Sequence, residues 1–328
     1  MKKLTGLLLA LITLATLLSA CGNPENPSDR EEKPQLKIVC TIFPEYDWVR
    51  EILGRESDEA ELTLLLDKGV DLHSYQPTAD DMVKISDCDL FIYVGGESDA
   101  WVEDALKNVG NQKMKVVRLM EELGDAVKTE ESVEGMQEED EEHSDEEEEE
   151  EKDEHVWLSL RNAEILVRAI ARNLGEINPA KSESYTANAE AYVKKLDALD
   201  KDYQKAAEAS PHKTLLFGDR FPFRYLTEDY QLNYYAAFAG CSAETEASFE
   251  TISFLSKKVD ELNLPAVLCL EGREHKIAES VVKNSEKKNQ KILRLDSMQS
   301  ISSKDVESGV NYLSIMEKNL DVLKEALK

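Results

Sequence analysis

LKIVCTIFPEYDWVREILGRESDEAELTLLLDKGVDLHSYQPTADDMVKISDCDLFIYVGG, residues 36–96, alternates short β-rich runs with longer amphipathic ones. Its first run, LKIVCTI over 36–42, is bulky and apolar, as a strand covered on both faces requires. A helical stretch follows over 46–53, then a strand over 60–66, a helix over 78–86, and a strand over 90–94 that stops at Gly95-Gly96. This spacing reads as βαβ units, because parallel neighbours need a long crossover that helices supply. A further strand is expected at 116–119.

Toward the C-terminus the period changes and then returns. Residues 162–209 are helical in pattern, interrupted near Asn178-Pro179, and 182–208 reads as one long helix with few breakers. Alternation then resumes, with strands at 214–217, 232–238, 266–270 and 292–295 and helices at 221–229, 248–262, 275–287 and 309–327. The fold class is therefore α/β: two lobes, each with a mostly parallel β-sheet flanked by helices, joined by a long linking helix. The expected boundaries are 36–165 for an N-terminal lobe, 166–209 for the linking helical region, and 210–328 for a C-terminal lobe. A cleft between lobes is where a small ligand is expected.

Toward the N-terminus the chain carries an address. Lys2 and Lys3 precede a nearly all-apolar stretch over 4–18, closed by Leu18-Ser19-Ala20-Cys21-Gly22. That is a secretory signal over 1–20, too short for a stable spanning helix. Leu-Ser-Ala-Cys matches the bacterial lipobox, so Cys21 is expected to be acylated and 21–35 to act as a flexible tether. The body then works on the extracytoplasmic face of the bacterial cytoplasmic membrane.

The net charge of −28 argues against nucleic acid, since phosphate binding needs Lys and Arg. More than half of it sits in residues 130–154, where 17 acidic residues face one lysine. An acidic loop over 128–154 cannot bury a core and reads as a mobile insertion. His143 inside it is a candidate metal-collecting residue; a solvated counterion-binding insertion is the equal alternative. Cys40, Cys88, Cys241 and Cys269 show no CxxC spacing, and read either as disulfide partners or as buried free thiols.

Two of the five histidines stand in loaded contexts. His73 lies in DLHSYQP, 71–77, at the carboxyl end of a strand, where open parallel sheets bind ligands. His155 lies in DEHVWL, 153–158, where the acidic loop meets the next helix. Asp296 directly follows the strand at 292–295. Two imidazoles and a carboxylate from separate loops suit zinc or manganese. Trp48, Trp157 and Tyr225 offer poor donors and read as packing residues around the site.

The two histidine motifs resemble those of the zinc/manganese-binding lipoproteins that serve ABC importers. So do the acidic loop, PFRYL over 222–226, AETEAS over 243–248 and Leu295-Asp296, and the resemblance runs from about 37 to 328. It implies two α/β lobes on a rigid helix, with zinc (alternatively manganese or ferrous iron) bound in the interlobe cleft and delivered to an ABC permease. His73 and His155 take the N-lobe ligand positions and Asp296 the C-lobe carboxylate. The fourth position falls on Arg220, which has no free lone pair. Asp219 comes first as its substitute, with Glu271, His275 or water as alternatives, and Arg220 is expected to orient Asp296 or Asp219. The resemblance also implies a small tilt or loop rearrangement on metal binding. No HExxH, nucleophile motif or clear general base is present, so the chain reads as a non-enzyme. A metalloenzyme and a surface adhesin are the alternatives.

Overall fold

The computed structural model describes residues 35–107, 109–137, 151–242, 246–272 and 275–328. The expected signal peptide, Cys21, nearly all of the tether, and His143 lie outside the described residues. Residues Leu36–Lys328 form one compact unit.

Among the described residues eight strands make two parallel four-stranded sheets. The first has the order β2-β1-β3-β4, from β1 (Leu36–Cys40), β2 (Ala60–Leu64), β3 (Leu90–Tyr93) and β4 (Lys115–Arg118). The second has the order β6-β5-β7-β8, from β5 (Thr214–Phe221), β6 (Asn233–Ala239), β7 (Ala266–Cys269) and β8 (Lys291–Arg294). Crossover helices in the first sheet are α1 (Phe43–Leu53), α2 (Ala79–Asp87) and α3 (Trp101–Leu106), with α4 (Leu119–Leu123) following β4. The helical middle is two elements, α5 (Leu160–Ile177) and α6 (Ser182–Ala209), split at Asn178-Pro179 as the sequence suggests. In the second sheet come α7 (Arg224–Asp229), α8 (Phe249–Glu261) and α9 (Lys276–Asn284). The chain ends with α10 (Ser303–Glu307) and α11 (Tyr312–Ala326).

The helix starts follow side-chain chemistry. Thr78 caps α2 while Asp81 reaches back to the Thr78 amide, a reciprocal box. Ser159, Ser248 and Asn311 cap α5, α8 and α11 in the same acceptor role. At 28 residues, α6 spans about 42 Å at 1.5 Å per residue, and it packs on α1, α5 and α11. One hydrophobic core runs from the first sheet through α5, α6 and α11 into the second, with a smaller cluster under α8 and α9.

Two expectations shift. The strand expected at 214–217 continues to Phe221 through a register shift between Phe217 and Arg220, and α7 starts at Arg224 rather than 221. Pro222 explains both, because the residue before proline is driven to extended backbone. The flanks of the acidic loop are also tied down rather than free. Glu130 N donates to Glu151 O at 2.8 Å and Asp153 N to Lys128 O at 2.9 Å, while Gln137 N reaches Ala237 O on β6 at 2.9 Å. Backbone pairing and docking on the second sheet fix 128–137, despite their charge.

Candidate metal centre

His73 sits in a short 3₁₀ turn, Leu72–Ser74, beyond β2, and Asp71 caps that turn by accepting the His73 amide at 3.1 Å. His155 begins another such turn, Val156–Leu158, just before α5. Asp153 holds it twice, accepting the His155 amide at 2.9 Å and facing the ring Nδ1 at 3.0 Å. That contact makes Nδ1 the protonated nitrogen and leaves the Nε2 lone pair facing outward. The ring of His73 is held alike, with Nδ1 at 2.7 Å from Ser98 Oγ. The two Nε2 atoms then face each other at 3.2 Å. Burial first, and the neighbouring His155 next, push the His73 imidazole down to about 4, which favours the neutral ring.

Carboxylates surround the pair. Glu154 accepts the Ser98 amide at 2.7 Å through Oε1, while its buried Oε2 has no hydrogen-bond partner and lies 3.7 Å from His73 Nδ1. Gly96 makes room for it, since a Cβ there would collide with the Glu154 carboxylate. Burial raises the Glu154 carboxyl. The segment carrying His155 is fastened to the second half of the chain by aromatic side chains expected only to pack. Tyr225 OH donates to Asp153 O at 2.7 Å and Trp157 Nε1 to Ser297 O at 2.9 Å.

The second sheet meets this pair with an arginine and a cysteine. Arg220 does not orient Asp296; its Nη2 crosses to Asp71 Oδ2 at 2.6 Å. Burial opposes that ion pair's effect, yet the Arg220 charge and hydrogen bond leave the Asp71 carboxyl below its usual range. Cys241 follows β6 after Gly240, and its sulfur lies with the two imidazoles in a set whose ligand atoms are all within 4.8 Å of one another. Burial, then the charges of Glu130, Asp153 and Glu154, raise its thiol. Among the described residues Cys40, Cys88, Cys241 and Cys269 are all free thiols, and no other set of three metal donors occurs.

The remaining sequence candidates are engaged elsewhere. Asp219 accepts the Arg220 and Leu270 amides at 2.9 and 3.1 Å, stitching the β5 irregularity to the end of β7. Glu271 accepts from Ser297 N, Ser297 Oγ and Gln299 N. Asp296 accepts the Met298 amide at 2.8 Å, and burial with the Glu271 charge lifts its carboxyl to about 6. His275 Nε2 accepts from Arg294 Nε at 2.9 Å, while its buried Nδ1 is unpartnered. An open cleft of about 570 Å³ adjoins the centre, lined by Asp71 and His73 on one side and Asp219, Arg220, Glu246 and His275 on the other. From the sequence alone Cys241 reads only as a disulfide partner or buried thiol. The signal for more was its position directly after Gly240 at a strand's carboxyl end.

Residues 38–326 match the family described as "Zinc-uptake complex component A periplasmic". The chain is 32% identical over 326 residues to the zinc-binding lipoprotein AdcA of Streptococcus pneumoniae serotype 4, covering 99% of this chain and 61% of that protein. It thus spans about three fifths of the first curated relatives it matches. It is 31% identical over 329 residues to the high-affinity zinc uptake system protein ZnuA of Bacillus subtilis, covering 99% and 98% of the two chains. The crystal structure of the Zn(II)-bound ZnuA-like domain of Streptococcus pneumoniae AdcA superposes with a TM-score of 0.69 at 29% identity, over 89% of this chain and 99% of that one.

Proposed function

We infer that this chain, which belongs to the zinc-uptake complex component A family, is an extracytoplasmic receptor that binds zinc and hands it to an ABC import permease. The family is one of substrate-binding transport proteins. The observation that carries the reading is the facing pair of imidazole Nε2 atoms at 3.2 Å, each ring gripped at Nδ1 from behind. Two nitrogens on a tetrahedral zinc, at 2.0–2.1 Å each, stand roughly 3.3 Å apart, so the pair needs almost no adjustment to take the ion. Manganese or ferrous iron is the alternative cargo.

In this reading His73 and His155 are the donors from the first sheet, and His143 with the surrounding carboxylates raises the local cation concentration. Asp296, Asp219, Glu271 and His275 remain candidate donors from the second sheet, the first three while also accepting backbone amides. The segments 36–165 and 210–328 act as lobes around the ion, with 166–209 between them. Relatives named as lipoproteins or periplasmic components support an address outside the cytoplasm, with Cys21 as the acylated residue. Among the described residues no helix is long and apolar enough to cross a membrane.

The test uses untagged mature chain, stripped with a chelator and reloaded with zinc or manganese. One zinc per chain is expected, and a His73→Ala/His155→Ala double variant should bind at least about 100-fold more weakly. Wild-type protein that retains neither metal stoichiometrically sinks the reading.

A further inference from the structure

We propose that Cys241 is the second sheet's donor to the metal, so that the site is a two-imidazole, one-thiolate set that selects thiophilic divalent ions such as zinc over manganese. This rests on the receptor reading above and specifies the chemistry of its site.

Strand β6 ends at Ala239, and Gly240 and Cys241 follow at its carboxyl end, on the edge of the second sheet that faces His155. Gly240 is required there. A Cβ on it would stand 2.9 Å from Phe221 O and 3.1 Å from His155 Cε1, so any larger residue would push the His155 ring and the β6 end apart. Close approach at residue 240 is what brings the next side chain within reach of the imidazoles. The turn is also held in position. Cys241 N donates to Glu130 Oε1 at 3.0 Å, Ser242 N to Ala239 O at 3.4 Å, and Arg220 Nη1 to Ser242 O at 3.4 Å. Two other segments, the flank of the acidic loop through Glu130 and β5 through Arg220, together with the turn's own Ser242–Ala239 bond, thus fix a sulfur opposite two pre-oriented imidazoles.

Among the described residues no further donor joins the set. Arg220 has no free lone pair to offer, and its guanidinium reaches Asp71 and Ser242 O. Asp219 and Glu271 are bound to backbone amides, and no second cysteine joins the set. Zinc accepts sulfur at about 2.3 Å and nitrogen at 2.0–2.1 Å in a tetrahedron, leaving one position for water or a carboxylate. Manganese favours carboxylate, carbonyl and water in octahedral arrays, so a thiolate disfavours it.

The experiment needs no variant to begin. Mature wild-type chain, stripped and reloaded with one equivalent of Co²⁺, should show a sulfur-to-cobalt charge-transfer band in the near ultraviolet. That band should vanish in both Cys241→Ser and Cys241→Ala, zinc affinity should fall at least about 100-fold, and the preference for zinc over manganese should shrink. If wild type binds one zinc, its cobalt form lacks the band, and Cys241→Ser matches wild type in affinity, this proposal is overturned while the receptor reading stands. If wild type takes up neither zinc nor cobalt, both fall.

Discussion

At the scale of single residues, the centre depends on how each donor is gripped. Asp153 takes both the amide and the ring Nδ1 of His155, so it sets the position and the tautomer together. Asp153→Ala should weaken zinc binding by about 10–100-fold while leaving the fold intact, as read by competition against a chromophoric chelator. An affinity within about threefold of wild type would show that His155 needs no such support. Glu45 is a different kind of buried acid. Its Oε2 accepts the Thr41 and Ile42 amides at 2.8 and 3.2 Å, yet Oε1 is buried without a partner. Burial, then the charge of Asp99, push its carboxyl up to about 8 from an ordinary 4.5. The folded chain thus keeps a proton that the unfolded chain has released, and stability from this group is present below pH 4.5 and lost as pH rises through 8. Glu45→Gln should abolish that dependence. The difference between wild type and variant in urea unfolding should therefore change by about 1–3 kcal/mol between pH 5 and 8. A difference that stays constant across the range refutes the assignment.

At the scale of elements, the irregular end of β5 and the close-packed end of β6 shape the second-sheet wall. Asp219 spans the β5 irregularity to Leu270 at the end of β7. Asp219→Ala should cost about 1–3 kcal/mol of stability with zinc affinity within a few-fold of wild type. A loss near 100-fold without loss of stability would make Asp219 a donor instead. Gly240→Ala tests the neighbouring wall. The obstacle there is a backbone carbonyl, which cannot swing aside, so about 1–3 kcal/mol of destabilisation is expected together with weaker zinc binding. Thermal unfolding and a zinc titration on the same variant separate the two effects.

At the scale of the whole molecule, the halves are joined by more than a helix. The core is continuous from sheet to sheet. Tyr312 bridges the Asp47 carboxylate and the Trp157 carbonyl, at 2.8 and 2.7 Å, and Lys68 pairs with Ser302 as an isolated bridge. Wide opening would break all of these, so metal exchange should proceed by local movement around the turns bearing His73 and Cys241. Across the cleft mouth Arg220 pairs with Asp71. Both groups are about a quarter exposed, which limits the pair to about 1 kcal/mol. Arg220→Ala should therefore lower stability only slightly but speed zinc release to a chelator, measured by stopped flow. An unchanged release rate would remove the pair from the exchange path.

The chain's local patterns were enough to read the two parallel sheets, the break at Asn178-Pro179, the loop at a strand end that carries His73 and the junction of acidic loop and helix that carries His155. Strand alternation, helix period, proline and capping residues act over a few neighbours, and neighbours are visible in a sequence. The end of β5 lies beyond the expected 217 because the register shift at Gly218-Asp219 interrupts that local period. The approach of Cys241 to the histidines, the turn of Arg220 toward Asp71, and the docking of 128–137 onto β6 were not legible. Each depends on how the two sheets face one another. That arrangement is set by the shared core under α5, α6 and α11, through contacts between residues far apart in the chain. The sequence by itself determined most of the elements and singled out two histidines; only the packing of one sheet against the other decided which side chain of the second would stand opposite them.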